Sequence, residues 1–292
     1  MYQEITHRWS GEATVCGASY TTDLPVPVIA LHCSGADGSA WRKLGQALGP
    51  WFEINAPNFL GCADRGHWTG ERAFTLSDEA RPIIEIIDEL DGRVHLVGHS
   101  YGGGIALKIA SARPQAIASL TLYEPSAFHI LKEIGGHGEA AVAEIEAVAT
   151  AIGDGLVSGA YQEAASRFVD YWNGPGSWSA MRPSVRDALV RWLPKASLDF
   201  RALINEATPL ASYSRLACPV HLIRGEYARG PSRLIVDELA RVLPRATRDI
   251  VAGAGHMGPL THPFEVNACI GGYVRAATVR ASMAAAGRST AA

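Results

Sequence analysis

Apolar and polar positions along the chain change period many times. Short runs rich in Val, Ile and Leu stand at 26–32, 52–56, 94–97, 118–123, 220–224 and 247–251, and each reads as a strand. Longer stretches with apolar residues three and four apart follow most of them, at 39–48, 77–90, 101–112, 232–242 and 263–275, and read as helices. Pro82 falls inside the second of these, tolerable as a kink near its first turns. Strand then helix, repeated, predicts a mostly parallel sheet with helices on both faces. The first twenty or so residues are expected to add an antiparallel edge pair.

The alternation stops between 126 and 211. That stretch carries only helical patterns, at 139–152, 159–171, 184–192 and 198–206, and reads as an all-helical insertion between two strands. The expected organisation is an α/β core of 1–125 and 212–292 with a helical cap of 126–211. Tyr171, Trp172, Trp178 and Trp192 cluster within the cap. Their ordinary use is the cap's own small core. One or two also facing a cleft beneath would give an expected pocket wall of Phe128, Trp172, Trp178, Trp192 and Met257.

Composition removes several function classes. Of 292 residues, 48% are apolar and 19% charged, which supplies a core and excludes disorder. The 26 basic and 29 acidic residues are scattered and leave a net charge of −3. Neither a nucleic-acid partner nor polybasic membrane attachment is expected from that balance. No apolar run is long enough to cross a bilayer, and positions 1–9 have no signal-peptide pattern. Five cysteines without CxxC spacing indicate neither a disulfide framework nor a zinc site. A cytoplasmic protein without metal or cofactor is the expectation, and the Ala-rich stretch 284–292 reads as a frayed tail.

The segment richest in chemistry is Gly98-His99-Ser100-Tyr101-Gly102, set between a strand and a helix. A bare GxSxG says little in a chain with 30 glycines. Its position says more: a serine on so tight a strand–helix turn is strained and lifts its hydroxyl clear of the sheet. The following helix aims its N-terminal amides at the same spot. The competing reading is a turn with a capping serine. A nucleophilic serine needs a base. Of ten histidines, His256 in Gly253-Ala254-Gly255-His256 follows the last strand in a glycine-rich loop, which favours it over a surface imidazole. His99 points away across the turn, and His262 belongs to the next helix start.

On these pieces the sequence resembles the α/β-hydrolase superfamily over nearly its whole length. The matching segments are Leu31-His32-Cys33-Ser34-Gly35, Ala56-Pro57-Asn58-Phe59-Leu60-Gly61, the elbow at Ser100, Tyr123-Glu124-Pro125 and Gly255-His256. The resemblance implies a doubly wound, mostly parallel eight-stranded sheet, an inserted helical cap and serine hydrolase chemistry. It also implies two oxyanion donors, the amides of Tyr101 and Ser34, although Cys33 replaces the family's usual glycine.

The third member of the triad departs from the family pattern, because Ala228 stands where an Asp is usual. Two acids are open. Glu124 ends the strand next to the nucleophile's, as in haloalkane dehalogenases; its competing role is a carboxylate bonded to amides in the cap hinge. Glu226 follows the next strand and is the alternative acid. Asp64, Arg65 and His67 read as solvated loop residues, Asp37 as a helix-start residue, and Trp41 as packing between the first core helix and the sheet. Cys33 and Cys62 read as small buried apolar groups.

The expected function is a cofactor-independent serine hydrolase of a carboxylic ester or related acyl compound, through Ser100, His256 and Glu124. A serine nucleophile argues against the dehalogenase and epoxide-hydrolase branches, which need a carboxylate. Lactonase, thioesterase, amidase and carbon–carbon bond hydrolase activities use the same groups. A non-catalytic ligand-binding protein is the rival from another class.

Overall fold

The structure, a computed structural model, describes residues 25–63, 65–90 and 92–283, together with the backbone of 13–15, 18–20 and 284–289. β1 (Ala13–Val15) and β2 (Ala18–Tyr20) pair antiparallel as a ribbon of their own. The rest of the expected edge pair, and Asp64, lie outside the described residues.

β3 (Val26–Leu31), β4 (Phe52–Asn55), β5 (Val94–His99), β6 (Ile117–Tyr123), β7 (Val220–Gly225) and β8 (Ala246–Val251) form one parallel sheet in the order β4-β3-β5-β6-β7-β8. The fold class is the expected one, but the main sheet has six strands among the described residues, where eight were expected. β5 is buried along its whole length, as a central parallel strand covered on both faces must be. Side chains alternate between two cores: Ile29, Leu31 and Leu96 enter one, Val28, Ala30 and Val97 the other. Trp41 packs in the second core, against the sheet and the first helix, where the sequence placed it.

Three helices precede the insertion. α1 (Arg42–Leu48) is entered through a tight turn capped by Asp37, whose carboxylate accepts from the Ser39 amide at 2.8 Å. α2 (Leu76–Glu89) starts in a capping box between Thr75 and Asp78 and runs unbroken through Pro82. α3 (Tyr101–Ala112) follows Ser100 directly.

Between β6 and β7 every regular element is helical: α4 (Gly136–Ser158), α5 (Tyr161–Asn173), α6 (Ser177–Ala180) and α7 (Pro183–Ile204), with short 3₁₀ turns at either end. The sequence pattern predicts two helices at 184–192 and 198–206, yet α7 is continuous through Pro194. Burial of Trp192, Leu193, Ala196 and Phe200 around that proline outweighs its missing hydrogen bond.

α8 (Gly230–Val242), α9 (Gly258–Thr261) and α10 (Pro263–Ser289) complete the chain. α10 extends beyond 275 through much of the stretch read as a frayed tail, because alanine is the strongest helix former. The chain passes from β3 outward to β4 and then returns to β5 on the other side. The crevice beyond the carboxyl ends of β3 and β5 is where an open α/β sheet offers a site, and Ser100 stands there.

Candidate active site

Two glycines let the backbone fold tightly around Ser100. A Cβ on Gly98 would meet the Gly102 carbonyl oxygen at 2.5 Å, and one on Gly102 the Leu31 carbonyl oxygen at 2.4 Å. Ser100 itself sits at φ 54° and ψ −117°, a strained backbone for any residue but glycine. The amides of Gly103 and Gly104 bond to the Ser100 carbonyl, and that of Gly102 to the His32 carbonyl. The first N–H groups of a helix have no intrahelical partner, and Tyr101 opens this helix.

Ser100, His256 and Glu124 form a hydrogen-bonded chain. Ser100 Oγ lies 2.9 Å from His256 Nε2, and His256 Nδ1 lies 2.8 Å from Glu124 Oε2. A carboxylate only accepts, so His256 donates through Nδ1–H and keeps Nε2 free to take the serine proton. Glu124 Oε1 accepts from the Gly225 amide at 3.0 Å, which fixes the carboxylate from behind. Its backbone is also strained, at φ 40°. All three side chains are buried.

The loop carrying His256 is pinned on several sides. His99 Nε2–H donates to the His256 carbonyl at 2.8 Å, and the Tyr123 hydroxyl to the Gly255 carbonyl at 2.7 Å. Burial lowers the His99 pKa to about 3, so this ring is a neutral strut. Trp172 stacks on the His256 ring with centroids 4.0 Å apart. Glu226 holds the same loop from outside, accepting from the Gly253 amide at 2.8 Å. The two candidate acids are thus separated by the structure: Glu124 bonds the imidazole, and Glu226 bonds backbone three residues earlier.

Ser126 adds a hydroxyl that the sequence reading passed over. Its Oγ is 3.2 Å from Ser100 Oγ, and its amide donates to the Ser100 carbonyl at 2.9 Å.

A cavity of about 220 Å³ opens in front of Ser100 and His256, between the sheet end and the helical insertion. Phe128, Phe168, Trp172, Leu189, Phe200 and Met257 supply much of its apolar wall. Among the described residues, none of the Lys, Arg, Asp or Glu side chains lines it. Of the residues expected there, Phe128, Trp172 and Met257 are on the wall, while Trp178 and Trp192 are not. Those two are buried in the apolar core that the insertion shares with the sheet, Trp192 against Phe168 and beneath Gly35. A second, more open cavity of about 690 Å³ adjoins the first, sharing Trp172, Asn173, Met181, His256 and Met257 with it.

Ser34 and Tyr101 both line the first cavity, and both are tied to a buried ionic cluster behind it. The Ser34 hydroxyl donates to Asp199 at 2.8 Å, and the Tyr101 hydroxyl to Glu79 at 3.1 Å. Lys195 bonds both carboxylates, Glu79 at 2.9 Å and Asp199 closely. Burial works against charge on Lys195, but the Asp199 and Glu79 carboxylates prevail and raise its pKa. Burial raises that of Asp199, partly offset by Lys195. Cys33, also on the wall, is pushed up to about 12 by burial, an inert thiol. Arg65 and His67 are exposed and apart from the cavity. Among the described residues no group of three or more His, Cys, Asp or Glu could hold a metal ion.

The sequence profile of the alpha/beta hydrolase family matches residues 28–268. The chain belongs to the alpha/beta hydrolase family. Within it, a stretch of 103 residues is 34% identical to lipase LipV of Mycobacterium tuberculosis, 35% of this chain and 38% of that protein. The chain spans between 26% and 38% of the lengths of the first three curated relatives it matches. A longer alignment, 26% identical, covers 80% of this chain and 89% of the pimeloyl-[acyl-carrier protein] methyl ester esterase of Methylococcus capsulatus. In fold, the chain is similar to a thermophilic esterase from Thermogutta terrifontis, with a TM-score of 0.68 and 17% identity over 93% of this chain and 99% of that one. No helix among the described residues is long and apolar enough to cross a membrane.

Proposed function

We propose that this α/β-hydrolase cleaves a neutral carboxylic ester with a small apolar acyl group, through a covalent acyl-enzyme on Ser100. The observation that carries the proposal is the chain Ser100 Oγ–His256 Nε2 and His256 Nδ1–Glu124 Oε2, at 2.9 and 2.8 Å. His256 takes the serine proton as Oγ attacks the carbonyl carbon, and Glu124 stabilises the resulting imidazolium. The amides of Tyr101 and Ser34 hold the tetrahedral oxyanion. Collapse breaks the bond to the leaving alcohol, which takes its proton from His256 Nε2. Water, deprotonated by the same nitrogen, then attacks the acyl carbon, and as the bond to Ser100 Oγ breaks His256 returns that proton to Oγ and the acid departs.

The cavity supports the substrate class. At about 220 Å³ it is smaller than the roughly 300–1,000 Å³ of pockets for drug-sized ligands, and among the described residues no Lys, Arg, Asp or Glu lines it. An acyl group with a free carboxylate would be desolvated there without a partner, at a cost of several kcal/mol. The lipase and methyl ester esterase relatives favour an ester over an amide. A cytoplasmic setting is supported by the free thiols of Cys33, Cys62 and Cys218.

Turnover of p-nitrophenyl esters of increasing acyl length tests the proposal. Wild-type protein is expected to hydrolyse the short members, and Ser100→Ala to lose turnover without loss of folding. No turnover by wild-type protein would favour the non-catalytic binding role.

A further inference from the structure

Glu79, Lys195 and Asp199 are all buried, and none of them lines the cavity or touches the Ser100–His256–Glu124 chain. They come from two layers: Glu79 from α2 of the core, Lys195 and Asp199 from successive turns of α7 in the insertion. Taking three charges out of water gives a folded chain little, because an apolar replacement of the same shape stabilises as well or better. The return on such a cluster is geometric. It fixes whichever neutral groups hydrogen-bond to it.

Those groups are the side chains of Ser34 and Tyr101. Each donates its hydroxyl to one of the two carboxylates, at 2.8 and 3.1 Å, and Lys195 Nζ joins the carboxylates. Lys195 also donates to the Tyr101 hydroxyl at 3.4 Å and lies 4.7 Å from the centre of its ring. Glu79 Oε1 accepts in addition from the Leu60 amide at 2.8 Å, which ties in the loop after β4. A second contact from α7 closes over the same strand end, where a Cβ on Gly35 would meet Leu189 at 3.1 Å and Trp192 at 3.3 Å.

We propose that Lys195, acting through Asp199 and Glu79, is a positioning residue that sets the two oxyanion donors against each other and ties their geometry to the seating of the helical cap. The role rests on the acyl-enzyme proposal above, in which Ser34 and Tyr101 supply the oxyanion amides. Lys195 has a second effect in the same place. Without it, two buried carboxylates would stand behind the donors and oppose the charge that develops on the carbonyl oxygen.

Steady-state kinetics on a p-nitrophenyl ester, with thermal melting and a pH–rate profile for each variant, test the role. Ser34→Ala cuts one tether, keeps the amide and leaves the charges paired, so it is expected to fold. Its kcat is expected to fall about tenfold with KM unchanged, less than the roughly hundred- to thousandfold loss from removing an oxyanion donor outright. Asp199→Leu is expected to lose more, and Asp199→Asn, which still accepts from Ser34, to recover most of that loss. The pH profile is expected to keep its shape, since His256 and Glu124 are untouched. A wild-type kcat in both Ser34→Ala and Asp199→Leu would overturn the positioning role while leaving the serine mechanism intact. An inactive wild-type protein would overturn the serine mechanism and this role with it.

Discussion

Trp172 lies flat against His256, its indole centroid 4.0 Å from that of the imidazole and the planes 29° apart. The indole also stacks near Phe128 and forms part of the wall common to the two cavities. It therefore buttresses the His256 ring and stands between the cavity at Ser100 and the wider space beside it. Trp172→Ala is expected to destabilise the fold by roughly 3–5 kcal/mol, as large-to-small changes at buried aromatics do. It is also expected to raise the preference for an octanoyl over a butanoyl ester as the chambers merge. Melting curves and kcat/KM for the two esters check both effects; an unchanged chain-length preference would show that Trp172 does not divide them.

The two acids have separable roles. Glu124→Gln cannot accept from Nδ1–H with its amide nitrogen and no longer stabilises the imidazolium. Its kcat is expected to fall by roughly 10³–10⁴. Glu226→Gln keeps a carbonyl oxygen for the Gly253 amide and is expected to lose no more than about threefold, the scale of one modest hydrogen bond. The reverse ranking in steady-state assays would assign the role to Glu226.

Ser126 offers a smaller effect. Its hydroxyl lies 3.2 Å from Ser100 Oγ. A neutral hydrogen bond contributes roughly 0.5–1.5 kcal/mol, so Ser126→Ala is expected to change kcat by up to about tenfold with no shift in melting. An unchanged kcat would remove Ser126 from the chemistry.

Acid sensitivity follows from buried imidazoles, His32, His95 and His99 among them. Burial lowers the pKa of His32 and His95 to about 4 and that of His99 to about 3. The neutral forms are locked by their partners. His95 accepts from Ser119 at one nitrogen and donates to Thr278 from the other. His32 donates to the Cys33 carbonyl and accepts from the Phe59 amide. The unfolded chain takes up protons below about pH 6.5, and these folded rings do not until near pH 4, so stability is lost as pH falls through that window. Each ring is expected to remove about 2 kcal/mol between pH 7 and pH 5. Urea unfolding at the two values checks this, and equal midpoints would contradict it.

Much of the framework was legible because it is local. The apolar runs of β3, β5, β6 and β7 are buried strands, and the elbow declares itself through two glycines that no larger residue could replace. For the acid the sequence left Glu124 and Glu226 open, since both follow strands near that of Ser100, and only the placed loop after β8 brings the His256 ring to Glu124. What escaped depends on which way a helix faces. Trp172, Trp178 and Trp192 stand on α5, α6 and α7 in turn, and periodicity does not say which of them turns to the cavity. The split assigned near Pro194 failed because burial around the proline exceeds its local penalty. Lys195 and Asp199 form a readable pair four residues apart on one helix, yet their partner Glu79 lies 116 positions before Lys195, where no local pattern points to it.

Covalent labelling located by mass spectrometry tests the central claim most directly. A fluorophosphonate attacked by an activated serine leaves a phosphonyl group on the nucleophile's oxygen and releases fluoride. One adduct on Ser100 is expected in the wild-type protein, absent in Ser100→Ala and formed at least roughly a hundredfold more slowly in His256→Asn. An adduct on another residue, or labelling of Ser100 at the wild-type rate without His256, would contradict the proposed proton relay.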